Sequence, residues 1–126
     1  MTLHELSAAL AVATVGSPEL DLAIADKCCP DVICLRFDSI AGRNVRFVHW
    51  KFTTDISASV AFVERVFMEC AWVVGNCYQG TQEPLATLYP RGINDDDCAY
   101  GDGKTPALAL CLAAINALIA QETHHD

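Results

Sequence analysis

The chain holds 126 residues, 52% of them hydrophobic, and a formal net charge of −8. That length is one domain with a core of its own, and the apolar share excludes an intrinsically disordered chain. The excess of acid argues against a face that grips a DNA or RNA backbone, though a pocket with a few local donors is still allowed.

Read in chain order, Leu3 to Thr14 has the spacing of a helix, with Leu3, Leu6, Leu10 and Ala13 on one side. Thr2 precedes it as a cap and Glu5 stands three residues later, the pattern of a capping box. Gly16-Ser17-Pro18 stops it, and Ser17 then caps a second helix with Pro18 at its first position, running to about Lys27. Val32-Ile33-Cys34-Leu35 suits either a short strand or a packed loop, and Ala41-Gly42-Arg43-Asn44 reads as a turn. Asn44 to Phe52 alternates as a strand does, with large side chains on both sides, so both faces are expected to be covered. Thr54 or Asp55 caps a helix to about Phe67.

Cys70 to Tyr78 and Leu85 to Tyr89 read as a β-hairpin around the turn Gln79 to Pro84. Arg91 to Lys104 reads as a long loop, a length that suggests function or mobility. The last helix is the most sharply defined. Thr105 caps it, Pro106 takes its first position, and Ala107 to Leu118 is almost wholly apolar, so it must be buried. A polar tail, Gln121 to Asp126, follows. The expected class is α+β, a three-layer α/β/α sandwich with a small, mainly antiparallel sheet, in a single domain over 1–126.

The richest apolar run, Ala107 to Ala120, is interrupted by Asn116 and falls short of the roughly 18 residues a membrane span needs. Met1-Thr2-Leu3-His4-Glu5 lacks a basic leader region. The expectation is a soluble, cytoplasmic protein. Seven cysteines are then expected to be free thiols rather than a disulfide framework. Cys70, Cys77 and Cys111 sit in apolar segments where a small buried side chain fits.

Three stretches carry a family likeness: the end helix Thr105 to Ala114, the opening helix with the Glu19 to Ala25 that follows it, and Phe52-Thr53-Thr54-Asp55-Ile56-Ser57-Ala58-Ser59-Val60. Together they resemble the phage ABA sandwich domain family across nearly the whole chain. The centre, around Cys28-Cys29-Pro30 and the hairpin, departs from that pattern. The resemblance implies an α/β/α sandwich and a phage protein working in the host cytoplasm. It implies no catalytic residues.

Asp95-Asp96-Asp97 matches no calcium loop, since consecutive aspartates do not all face one ion. Cys28, Cys29, Cys34 and His49 match no familiar zinc spacing. Gly101-Asp102-Gly103-Lys104-Thr105 ends like a P-loop, but Cys98 stands where the first glycine belongs. What survives there is an anion site from Lys104 and the helix start at Thr105, set against a plain capped turn. Arg43, Arg46 and Lys51 with Phe47, Trp50 and Phe52 mix cations and aromatic faces as a nucleotide site does. The same residues equally suit a strand with one wet and one packed face.

No acid–base or nucleophile set is visible, so neither catalysis, metal nor cofactor is expected. The leading expectation is a non-enzymatic binder of a small nucleotide-derived signalling molecule, a sponge that sequesters a host immune signal. Its expected site is Arg43, Arg46, Trp50, Lys104 and Thr105, on a homo-oligomer whose pockets lie between copies, with no nucleic-acid or membrane partner. The alternative is a protein–protein interaction module that docks by its hairpin or sheet edge.

Overall fold

The computed structural model describes residues 1–75, 83–93 and 97–123. Helices α1 (Leu3–Val12) and α2 (Pro18–Cys28) open the chain, and a single 3-10 turn at Pro30–Val32 leads into strands β1 (Cys34–Asp38) and β2 (Arg43–Phe47). Helix α3 (Ile56–Val66) follows, then β3 (Ala71–Gly75), β4 (Leu85–Tyr89), β5 (Ala99–Asp102) and the long α4 (Pro106–Thr123). The fold is mixed α+β, four helices with two small antiparallel sheets, and its packing of helices on the larger sheet is compatible with a sandwich.

The helices start where side chains can hold their first N–H groups. Thr2 and Glu5 form a complete capping box, the Ser17 hydroxyl accepts from Leu20 N–H, and the Asp55 carboxylate accepts from Ser57 N–H. Thr105 accepts from Leu108 N–H at 3.2 Å and so begins α4.

The strands fall into two separate sheets. β1 and β2 form an antiparallel hairpin that turns through Gly42, whose φ of 70° is where glycine is least strained. The other sheet has the order β3-β4-β5, all antiparallel. Helix α4 lies across this second sheet, and α1 and α3 pack on α4. Leu108, Leu110, Cys111 and Ile115 of α4 are fully buried together with Leu6, Leu10, Phe52, Phe62 and Leu88. Asn116, the polar break in the apolar run, ties the layers. It accepts from the Ser7 hydroxyl of α1 and donates to the Tyr100 carbonyl of β5, each at 2.8 Å.

Three expectations need correction. The strand expected over Asn44–Phe52 ends at Phe47, and the pair β1–β2 is largely exposed rather than covered on both faces. Beyond it the chain bends inward to seat Phe52 and Thr53 in the core. The expected loop Arg91–Lys104 contains β5, in which only Tyr100 of Ala99-Tyr100-Gly101-Asp102 favours a strand and which is recruited by pairing to β4 and by close contact with α4. Helix α4 runs on through Thr123, past the expected end at Leu118. The turn at Gln79–Pro84 falls mostly outside the described residues, as do Cys77, Asp95 and Asp96.

Candidate functional site

The cationic hairpin comes first. Its register sets Arg43 opposite Asp38 and Arg46 opposite Leu35. Alternation therefore places Leu35, Phe37, Asn44 and Arg46 on one face, and all four are exposed. Arg36 lies over the Phe47 ring at 5.0 Å, and the Phe47 and His49 rings meet edge-on at 4.9 Å. Arg46 is ion-paired to Asp26 of α2 at the surface, whereas neither Arg36 nor Arg43 forms an ion pair among the described residues.

Of the five expected site residues, Arg43 and Arg46 both lie on β2 but on opposite faces of the hairpin, and Lys104 and Thr105 adjoin at the start of α4. Trp50 stands off the strand, half-buried, with the Arg65 guanidinium 5.9 Å from its ring centre and Phe52 beside it. Lys104 is ion-paired to Glu83, next to β4. Arg46 and Lys104 thus answer to different parts of the fold: one to α2, the other to the three-stranded sheet.

The glycines before Lys104 have a packing role. A Cβ on Gly101 would lie 2.4 Å from the Ala109 carbonyl oxygen and the Ala113 nitrogen; one on Gly103 would lie 2.9 Å from the Ala109 nitrogen. Both let β5 and its exit press against α4. The Gly103 N–H donates to the Pro84 carbonyl, and the Thr105 hydroxyl takes one of the helix's first N–H groups.

Cys28, Cys29, Cys34, Cys70, Cys98 and Cys111 are free thiols. Burial pushes the Cys28 thiol up to about 12 and raises Cys111 strongly, so both stay protonated. Cys111 spends its hydrogen on the Phe52 carbonyl at 3.2 Å. Among the described residues no three His, Cys, Asp or Glu side chains are grouped to hold a metal ion, and no helix is long and apolar enough to cross a membrane.

Two surfaces escaped the sequence reading. An open cleft of about 620 Å³ is lined by Thr2, Leu3, His4, Lys27, Leu118, Gln121 and Glu122, residues from the ends of three helices that no local motif connects. The other is the outer face of the three-stranded sheet. In the paired register Val73, Thr87 and Tyr100 form one row across it, while Trp72, Leu88 and Ala99 face the core. Val73 is 55% and Tyr100 57% exposed. Ala71–Gly75 is apolar throughout, so nothing in its own sequence marks Val73 as the outward side; that needed the partner strands to be placed.

No family model, curated protein or solved structure matches the chain.

Proposed function

We propose that this chain acts by binding, as a protein–protein interaction module. The observation that carries the reading is the two-sided sheet β3-β4-β5: one face is filled by α4, the other presents Val73 and Tyr100 to solvent. β3 is also the outer strand of that sheet and holds no charged residue and no proline. Uncharged edge strands beside an exposed apolar row favour pairing with another chain. The partner suited to such a face is a protein offering an extended segment or a flat apolar surface. If the resemblance to the phage ABA sandwich family holds, that partner is a host or phage protein.

The test uses the full chain, immobilised, with lysate of infected cells. Val73→Asp should abolish capture of a discrete partner while the melting temperature stays put, because Val73 contributes little to the core. Equal capture by wild type and Val73→Asp would sink the reading.

A second reading, the small nucleotide-derived anion, rests on Arg36 and Arg43 sharing the hairpin face that carries Phe47. It ranks lower because a flat hairpin offers no concavity of its own, so the pocket has to be completed by another copy. Calorimetry with linear and cyclic nucleotides decides it. Arg43→Ala should weaken a genuine ligand tenfold or more, as charge-assisted hydrogen bonds contribute roughly 1.5–3 kcal/mol.

A further inference from the structure

The cleft at the ends of α1, α2 and α4 shares no residue with the open sheet face or the hairpin. Its volume of about 620 Å³ lies in the range of clefts that take small molecules. Leu3 and Leu118, both half-buried and packed against the core, give it an apolar side. Beside them stand the exposed His4, Lys27, Gln121 and Glu122. The capping box already holds Thr2 and Glu5 to each other, so the groups on offer are these four side chains. Arg46, Arg65 and Lys104 are each ion-paired, whereas none of the four has a hydrogen-bond or ion-pair partner among the described residues. Lys27 and Glu122 line the same cleft without pairing, so a positive and a negative charge are held apart on its wall. Glu122 stands in the last turn of α4, which holds no basic residue, and its carboxylate adds to the negative end of the helix dipole.

We propose that this cleft binds a zwitterion with an apolar body: a free α-amino acid, or a short peptide, with aliphatic side chains. The ligand's carboxylate pairs with the Lys27 ammonium and accepts from the His4 ring N–H. Its ammonium goes to Glu122, at the negative end of α4, and its side chain lies on Leu3 and Leu118. The Gln121 amide, both donor and acceptor, serves either end. Other ligand classes leave more unanswered. A nucleotide sets its phosphates against Glu122, and no aromatic face lines the cleft to stack a base. A purely apolar ligand leaves both charges without a counterpart. The inference stands apart from the interaction-module reading, since the two surfaces have no residue in common.

Backbone-amide NMR titration of the full chain tests it, with leucine, dileucine and trileucine as probes from micromolar to tens of millimolar. At least one should shift the amides of His4, Lys27, Gln121 and Glu122 to saturation, and comparing the three gives the ligand's length. The N-acetylated and the C-amidated forms of that probe each lack one charge. Each should bind roughly tenfold more weakly or worse, having lost a charge-assisted contact. Lys27→Ala and Glu122→Gln should lose a similar factor toward the free probe. Glu122→Gln should hardly change binding of the N-acetylated form, which has no ammonium to give it. The rest of each spectrum checks that the variant is folded. No saturable shift in the cleft with any of the three probes overturns the inference. So do blocked probes that bind as tightly as the free one, or a Lys27→Ala variant that binds as wild type does.

Discussion

At the scale of single residues, the hub of the fold is Asp21. Its carboxylate is buried on α2 and accepts from the Thr53 N–H at 2.9 Å and the Thr53 hydroxyl at 2.7 Å. Thr53 in turn accepts from Ser17 N–H, so three residues lock the start of α2 to the chain before α3. Gly16 lets them close, since a Cβ there would lie 2.2 Å from the Thr53 carbonyl oxygen. Burial raises the Asp21 carboxyl above its ordinary range, against the lowering pull of the Thr53 hydrogen bonds. The folded protein therefore takes up this proton before the unfolded chain does as pH falls. Asp21 adds stability as pH drops through its raised value and costs stability above it. Denaturant melts across the acid range should show wild type gaining on Asp21→Asn as pH is lowered, and a constant gap between the two would contradict the assignment. Glu5 behaves in the opposite sense: hydrogen bonds from Thr2 lower its carboxyl, so the capping box is intact above the ordinary carboxylate range and is lost as pH falls through the lowered value. The caps at Thr2, Ser17 and Thr105 were legible in the sequence because a cap is a local event. The Asp21–Thr53 lock was not, because its partners are 32 residues apart.

Among the elements, α4 decides the architecture. It touches all three strands of its sheet on one side and α1 and α3 on the other. Leu112 is almost fully buried, so Leu112→Ala should cost roughly 2–5 kcal/mol in chemical denaturation; a loss below about 0.5 kcal/mol would make α4 peripheral. Gly101→Ala should cost about 1–3 kcal/mol for the opposite reason: the added methyl group has to displace backbone of α4. An unchanged melting temperature would mean that β5 does not press on the helix. Helices and the β3–β4 hairpin could be read from periodicity and punctuation. β5 could not, since Ala99-Tyr100-Gly101-Asp102 has little strand character until β4 and α4 supply its contacts. The split into two sheets was also invisible, because strand pairing is set by the tertiary path through Phe52 and Thr53 rather than by alternation.

For the whole molecule, the same logic separates thiols that pack from surfaces that bind. Cys28 and Cys111, held protonated by burial, should resist a thiol reagent until the protein unfolds, which a time course with residue-level mass spectrometry would show; rapid native labelling of Cys111 would mean that the core opens. The candidate site was legible only in part. Arg43 and Arg46 do share a strand, but Lys104 belongs with Glu83 and the sheet, and the open sheet face emerged only once the strands were paired. The central claim is that this outer face is where the protein meets its partner. Photo-crosslinking inside cells that produce the chain tests it most directly, with a photoreactive residue at Val73 on the open face or at Val74, its neighbour on the face turned to the core. The account predicts a discrete adduct with another protein from position 73 and none from position 74. No adduct from 73, or an adduct of this chain with itself alone, would contradict it.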